Sequence, residues 1–248
     1  MAQDSKGLTA GACLIKARTM DLRVTDARWA FAEQNTADIA SHWARRSAEN
    51  PHYFNGTVLM LSDFSLSDDG CFSGLFLPTD FRSFLYWRES GQTDTSVRDT
   101  VGTALIRTSD DTILLCQQRA GHLNTGFTTP PGGFIDTRDV NQDGTIDIAQ
   151  AVAREISEET GLGPPQLRQD AGFLVAVAGR LVSIAVPWTC GLTGADVVGI
   201  ATDHIASDAE GELACALAVA PAAALETLNL PDYARVLLGA PELLKTST

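Results

Sequence analysis

The sequence lacks any apolar segment approaching the ~18 residues of a membrane-spanning helix. Its first stretch, MAQDSKGLTAGACLIKAR, carries an early acidic residue and no long apolar run, so we expect no signal peptide. It also lacks internal repeats and low-complexity tracts. These absences predict a folded protein that has no membrane partner.

Cysteine and histidine are scarce, with 5 and 4 residues among 248. The cysteines are odd in number and widely spaced, and they form no CxxC pair. This usage is typical of reduced thiols, so we expect a cytoplasmic protein without a disulfide framework. No two cysteines or histidines have the spacing of a structural zinc site.

Positive charge is also in short supply. Lysine and arginine number 18 against 31 acidic residues, which leaves a net charge of −13. This balance argues against nucleic acid and anionic membrane surfaces as partners. If the substrate is itself anionic, metal ions or local arginines must offset the field of the protein.

The chain reads as two consecutive units. A helix over 27–49 and strands in GTVLMLSDF and CFSGLFLP, followed by DFRSFLYWRES, form an α+β extension that we place at residues 1–96. The polar, turn-rich GQTDTS marks the boundary. Residues 97–248 mix hairpin-connected strands with helices, including one near 147–160, which predicts an α/β fold with helices layered on a mixed sheet.

The segment REISEETGL, residues 154–162, places Glu155, Glu158 and Glu159 at helical spacings of three and four. Side chains at those spacings share one helix face, and like charges there repel. The carbonyl end of a helix disfavours acids further, whereas Gly161 suits a left-handed cap. A solvated acidic face is the simplest interpretation, but divalent cations among the carboxylates would make the arrangement favourable.

GGFID followed by REISEETGL resembles the signature of the Nudix family. The second half matches at every fixed position, and Gly133 matches the first glycine. The resemblance implies an α/β/α sandwich and Mg²⁺- or Mn²⁺-dependent hydrolysis of a nucleoside diphosphate linked to another group. It also implies that the three glutamates bind metal, that the Gly133 carbonyl completes the metal shell, and that Arg154 orients a glutamate by an ion pair.

The first glutamate of that signature has no direct match. Asp139 follows Gly133 after five intervening residues, and the spacer between Gly133 and Arg154 is seven residues longer than in the family. The glutamate is therefore missing, or it is replaced by Asp139 or by Asp147.

The extra residues, DVNQDGTIDIAQ at 139–150, resemble a calcium-binding loop of the EF-hand type. Asp139, Asn141, Asp143 and Asp147 match ligand positions, but Gln150 stands where a bidentate glutamate is usual. The alternatives are a loop that holds structural Ca²⁺ and an Asx-rich turn that caps the following helix.

Other residues are candidates for the site. Arg119 ends a strand and either binds a substrate phosphate or is a surface charge. In the resembling family an extra acid, serving as metal ligand or general base, is often found in the region of Glu210 and Glu212. His122 and His204 favour a surface position, and Trp188 favours the core over stacking on a base.

The N-terminal region has weaker signals. NPHYFNGTVLML followed by DFRSFLYWRE is similar to the Nudix branch that cleaves UDP-glucose and UDP-galactose, and that resemblance implies that Arg82 lies near the substrate. Alternatively, the region packs on the core or forms a homodimer. Two functions remain open: a pyrophosphohydrolase with a small-molecule nucleotide substrate, and a non-catalytic Nudix-fold nucleotide-binding or sensor module with a calcium-like loop.

Overall fold

The computed structural model describes the backbone of residues 3–4 and the whole of residues 11–208 and 211–240. The first part of the chain forms β1 (Gln3–Asp4), β2 (Cys13–Ala17), β3 (Thr19–Val24), α1 (Ala30–Gln34), α2 (Thr36–Glu49), β4 (Thr57–Leu66), β5 (Cys71–Asp80) and α3 (Phe81–Glu89). A four-stranded sheet has the order β1-β4-β5-β3, in which β3 runs parallel to β5 and the other pairs are antiparallel.

The remainder of the chain forms β6 (Asp99–Arg107), β7 (Ile113–Gln118), β8 (Thr128–Thr129), β9 (Gly132–Phe134), a 3-10 turn (Thr137–Asp139), α4 (Ile148–Thr160), β10 (Leu167–Gln169), β11 (Phe173–Ala178), β12 (Leu181–Cys190), α5 (Gly194–Ser207), β13 (Leu213–Val219), α6 (Pro221–Thr227) and α7 (Asp232–Leu238). None of the helices in the described ranges is both long and apolar enough to cross a membrane.

The large sheet has nine strands and is mixed. Its main order is β13-β7-β6-β12-β11-β2, with β6 and β12 parallel, and β8, β9 and β10 attached to β7, β6 and β12. Apolar side chains of α4 and α5 pack on one face, and those of α6 and α7 pack on the other. The prediction of an α/β fold with helices layered on a mixed sheet is confirmed.

Strand β2 crosses the predicted domain boundary. It comes from the first 96 residues, yet it pairs with β11 at the edge of the large sheet, where Val175 lies opposite Ile15. The division into 1–96 and 97–248 stays a prediction, and the two parts share backbone hydrogen bonds.

The predicted helix over 27–49 is two helices, separated at Asn35. The Asn35 side chain donates to the Phe31 carbonyl at 2.8 Å, and the Thr36 hydroxyl donates to the Glu33 carbonyl at 2.9 Å. Short polar side chains of this kind compete with the helical hydrogen-bond ladder, which accounts for the interruption.

The inserted segment 140–147 lies against the edge of the small sheet. Val24 N donates to the Gly144 carbonyl, and Ile146 N donates to the Leu22 carbonyl, each at 2.9 Å. The insertion therefore adds to strand β3 immediately before α4 begins, so it connects the small sheet to the helix that carries the glutamates.

Candidate active site

Helix α4 presents the acidic residues of the site because its opposite face is apolar. Ile148, Val152 and Ile156 are buried at helical spacing against the sheet. The Asp147 carboxylate accepts from Gln150 N and caps the first turn. Gly161, at φ 67°, ends the helix in the left-handed conformation. The predicted helix and both of its end signals are confirmed.

Arg154 links three carboxylates. Its Nη1 donates to Glu155 Oε1 at 2.7 Å and to Glu158 Oε2 at 3.0 Å, and its Nη2 donates to Asp139 Oδ1 at 3.0 Å. The guanidinium therefore neutralises part of the charge that the sequence places on one helix face.

The sequence offered Asp139 and Asp147 as candidates for the first acidic position of the signature. In the structure, Asp139 is the one that pairs with Arg154. Its side chain is 3% exposed, pairs with Arg154 and accepts from Asp136 N at 3.0 Å. Asp147 instead caps α4. The seven extra residues therefore follow the acid that pairs with the arginine, and they leave that ion pair intact.

Glu159 is the most deeply enclosed acid of the helix end. Burial raises its pKa to about 8, and the neighbouring Glu155 carboxylate adds to the shift, although Gly132 N donates to Glu159 Oε2 at 2.9 Å. Burial also raises the pKa of Glu155 against the opposing effect of Arg154. Glu158 is different, since 54% of its side chain is exposed.

Gly132 and Gly133 in β9 allow this close approach. A Cβ at Gly133 would lie 2.8 Å from Glu155 Oε2, within the space that the carboxylate occupies. Gly132, at φ 150°, would place a Cβ 2.1 Å from the Gly102 carbonyl oxygen of β6. Any larger residue would therefore displace the backbone or the Glu155 side chain.

The donor set fits a hard divalent cation in its chemistry. Glu155, Glu158 and Glu159 offer carboxylate oxygens. Because Gly133 has no side chain, its backbone lies close to the Glu155 carboxylate. In the described part of the chain, no three acidic, histidine or cysteine side chains are grouped as a ready metal cage. At the helix end, Glu155 and Glu158 are instead paired with Arg154.

The glutamates open into a cavity of about 520 Å³. Beyond the pair Arg107–Ile113, strand β6 bonds to β9 and strand β7 bonds to β8, so the cavity lies where the two long strands separate. The first part of the chain contributes part of the wall, including His52, Tyr53, Phe54, Phe81 and Arg88.

Asp99 is a cavity residue that sequence reasoning missed. It begins β6, is 3% exposed, and lines the cavity together with Tyr233 of α7. Burial raises the pKa of Asp99 to about 6, and the charge of Arg88 opposes the shift. The available signal was an acidic residue at the start of an otherwise apolar strand, DTVGTALIR.

The two arginines predicted to contact substrate lie in different places. Arg119 lines the cavity, but its Nη2 also donates to the carbonyls of Ile205 and Asp208, at 3.3 and 3.0 Å. Arg82 is absent from the cavity wall, and its Nε donates to Asp80 Oδ2 at 2.7 Å. Within α3 it is Arg88 that reaches the cavity instead, because the two positions face different directions on the helix.

The predicted general base or metal ligand Glu210 lies outside the described residues. Glu212 lines the cavity with 63% of its side chain exposed, and its carboxylate lies 3.9 Å from His122 Nδ1. His204 also lines the cavity, and its Nε2 lies 2.8 Å from the Glu158 carbonyl. Both histidines were expected at the surface, whereas Trp188 is in the core as expected.

The calcium-like loop has its side chains engaged within the protein. Asp139 binds Arg154, Asp143 accepts from Thr145 N and its hydroxyl, and Asp147 caps α4. Asn141 Nδ2 donates to the Thr145 hydroxyl at 3.0 Å. The two alternatives for this loop, a structural Ca²⁺ site and an Asx-rich turn, stay predictions.

The sequence of residues 97–194 matches the family described as NUDIX domain. No curated protein sequence matches the chain. Among solved structures, the chain is similar to a MutT protein from Methanosarcina mazei Go1, with 26% identity over 57% of this chain and 90% of that one, at a TM-score of 0.38. It is also similar to the Nudix hydrolase RenU from M. Smegmatis, with 16% identity over 61% and 90%, at a TM-score of 0.38.

A third similar structure is the Ap4A hydrolase of C. elegans, with 19% identity over 44% of this chain and 92% of that one, at a TM-score of 0.29. These matches cover most of each neighbour and only part of this chain. The matched segment contains β6, α4, Arg154 and all three glutamates. Residues 97–194, which include the acidic end of α4, are therefore similar in sequence to a NUDIX domain.

Proposed function

We propose that the chain hydrolyses, with Mg²⁺ or Mn²⁺, the pyrophosphate bond of a nucleoside diphosphate linked to another group. One observation carries the proposal: the carboxylates of α4, organised by Arg154, face a cavity whose volume of about 520 Å³ lies in the range of small-molecule binding sites. The match of residues 97–194 to the NUDIX domain supports cleavage of a pyrophosphate bond.

The metal would be held by Glu155, Glu158 and Glu159, together with the carbonyl of Gly133. When bound, divalent ions would neutralise the diphosphate and lower the pKa of a coordinated water. We expect Arg154 to remain bonded to Asp139 while the glutamates turn toward the ions, so that the ion pair keeps the helix end in place.

We assign removal of the proton from the attacking water to Glu159. Arg154 engages Glu155 and Glu158, whereas Glu159 accepts a hydrogen bond from Gly132 N through one oxygen, Oε2. Glu159 is half-buried at the cavity wall, and a nearby divalent cation would lower its pKa and keep the carboxylate ionised for this role. Attack on phosphorus in line with the leaving oxygen needs no covalent intermediate with the protein.

The walls of the cavity suit a nucleotide. Arg88 and Arg138 supply positive charge against phosphate in a protein of net charge −13. Tyr53, Phe54 and Phe81 supply aromatic surface, and Phe54 is 80% exposed at this wall. Because several of these residues precede residue 97, we propose that the N-terminal extension helps to select the substrate.

Within this class, we propose a nucleoside-diphosphate sugar, with UDP-glucose and UDP-galactose as the first candidates. The support is the similarity of the NPHYFNGTVLML and DFRSFLYWRE stretches to the branch that cleaves those compounds, and the place of Tyr53, Phe54 and Phe81 in the cavity wall. The homodimer stays a prediction, and so does the cytoplasmic location.

A substrate panel tests the proposal. UDP-glucose, UDP-galactose, ADP-ribose, NADH, coenzyme A and dinucleoside polyphosphates would be incubated with Mg²⁺ or Mn²⁺, and product formation followed by chromatography. We expect turnover of at least one nucleoside-diphosphate sugar, its loss with chelator, and a large loss in Glu158→Gln. Unchanged turnover in that variant contradicts the metal assignment, and no turnover of any compound supports the binding or sensor function instead.

A further inference from the structure

The cavity has an inner wall on the face of β6 opposite to the glutamates. Gly102 of β6 faces Val152 and Ile148 of α4, within 3.0–3.1 Å of where its Cβ would be. Since side chains alternate along a strand, Asp99, at odd spacing from Gly102, lies on the other face of β6, and Tyr233 of α7 lines the cavity with it. The cavity therefore extends from the glutamates of α4, past β9, to Asp99.

Asp99 Oδ1 is buried and has no hydrogen-bond partner among the described residues. Buried polar atoms are normally hydrogen-bonded, and a buried carboxylate without partners is unfavourable for folding. An unsatisfied acceptor that lines a cavity is accounted for if a ligand supplies the missing donor.

Two further side chains complete the inner wall. Tyr233 of α7 lines the cavity, forms a hydrogen bond with Thr129, and has its pKa raised by burial and then by the charges of Asp99 and Glu159. Tyr233 is thus electrostatically coupled to both the inner wall and the acidic helix end. Arg88 lines the same cavity and interacts with the charge of Asp99.

We propose that Asp99, with Tyr233 beside it, forms a subsite that accepts two adjacent N–H or O–H donors from the part of the substrate beyond the diphosphate. This inference rests on the proposed function and adds the recognition of one end of the substrate. An ionised aspartate is only an acceptor, so it selects donors and repels a second phosphate. The edge of a guanine base and the neighbouring hydroxyls of a sugar both present such donors.

Discrimination follows from the burial of the acceptor. A substrate that lacks the donor would leave Asp99 Oδ1 unpaired, and sites that exclude water reject such analogues by about 10⁴-fold. Partial access of water to the open cavity reduces this figure, and we expect roughly 10²-fold.

Two matched pairs of compounds distinguish the sources of the donors. GDP-mannose is compared with IDP-mannose, which lacks the base amino group, and UDP-glucose is compared with UDP-2-deoxyglucose, which lacks one hydroxyl. For the wild-type protein, we expect kcat/KM to be roughly 10²-fold lower for the compound that lacks the donor, in one of the two pairs. For Asp99→Asn, we expect the two compounds of that pair to differ by less than about 5-fold in kcat/KM. The pair that responds identifies the moiety at the inner wall.

Asp170→Asn is the matched control, since Asp170 lies outside the cavity wall and bonds to Thr189. It should keep the discrimination of the wild type. Equal discrimination by wild type and Asp99→Asn in both pairs overturns the subsite. If the wild type cleaves none of the four compounds, the proposed substrate class fails independently of the subsite. The subsite is then tested by calorimetric binding of the same compounds to the wild type and to Asp99→Asn. Equal affinities for the two proteins overturn the subsite.

Discussion

Two acidic regions face the same cavity, and they differ in whether the protein itself supplies partners for their carboxylates. At the end of α4, Arg154 bonds to Asp139, Glu155 and Glu158. At the start of β6, Asp99 is 3% exposed and its Oδ1 has no hydrogen-bond partner in the described residues. The comparison teaches that the first region is partly compensated by the fold itself, whereas the second is left for a ligand to satisfy.

The largest expected effect concerns the compensated region. Glu155→Gln removes a carboxylate charge beside Gly133 without changing side-chain size, and we expect kcat to fall by on the order of 10³-fold. The measurement is phosphate-ester release with Mg²⁺ under saturating substrate. Asp170→Asn should retain full activity, and comparable rates in the two variants would remove Glu155 from the catalytic group.

The next effect is on stability. Asp139→Asn breaks the pair between a 3% exposed carboxylate and a 22% exposed guanidinium, and we expect a loss of about 2–4 kcal/mol in the free energy of unfolding. Urea denaturation measures this loss. Asp143→Asn is the matched control in the same loop, because its carboxylate bonds to exposed Thr145, and it should change stability by less than about 0.5 kcal/mol. If Asp139→Asn and Asp143→Asn lower the free energy of unfolding equally, the pair between Asp139 and Arg154 is not the contact that stabilises this loop.

Asp99→Asn should act in the opposite direction and stabilise the protein. The pKa of Asp99 rises from 3.8 to about 6 on folding, which corresponds to a penalty of roughly 3 kcal/mol at most above pH 6. The folded state holds this proton more tightly than the unfolded state, so wild-type stability increases as pH falls from about 6 toward 4. Unfolding curves at several pH values should show a higher free energy of unfolding for Asp99→Asn than for the wild type at pH 7. This difference should decrease as the pH falls from about 6 toward 4. A variant less stable than wild type at pH 7 would make Asp99 a structural residue.

The smallest expected effect is that of a methyl group beside Glu155. Gly133→Ala would place Cβ 2.8 Å from Glu155 Oε2, and we expect roughly 10-fold lower kcat with a change in melting temperature of a few degrees. Gly163→Ala is the control, since no atom lies within 4 Å of its added Cβ. If the two variants have equal kcat, the close approach of β9 to Glu155 does not matter for turnover.

Local sequence signals predicted the first of the two acidic regions, the end of α4, well. Buried Ile148, Val152 and Ile156, the Asp147 cap and the Gly161 end define α4, and the three glutamates follow from helical periodicity. The same kind of signal failed at Asn35, where polar side chains divide a predicted helix in two. Pattern reasoning works where contacts are three or four residues apart, and weakens where side chains bond to the backbone.

The other side of the comparison depends on distant contacts. Arg82 and Arg88 are equivalent by local pattern, but only the packing of α3 decides which of them reaches the cavity. Asp99 reads as the first residue of a strand, and its surroundings come from distant parts of the chain, including Arg88 of α3 and Tyr233 of α7, which line the same cavity. No short-range pattern reports a missing hydrogen-bond partner.

By itself, the sequence determined the acidic helix end of α4 with its glycine cap and the α/β class, because each depends on composition or on residues close along the chain. The tertiary structure decided that Asp139 and not Asp147 pairs with Arg154, fifteen positions away, and that the N-terminal part supplies a wall of the cavity. It also decided that Asp99 Oδ1 has no hydrogen-bond partner among the described residues. These features depend on which surfaces meet when the strands separate and the helices cover them, and that is set by packing of the whole chain.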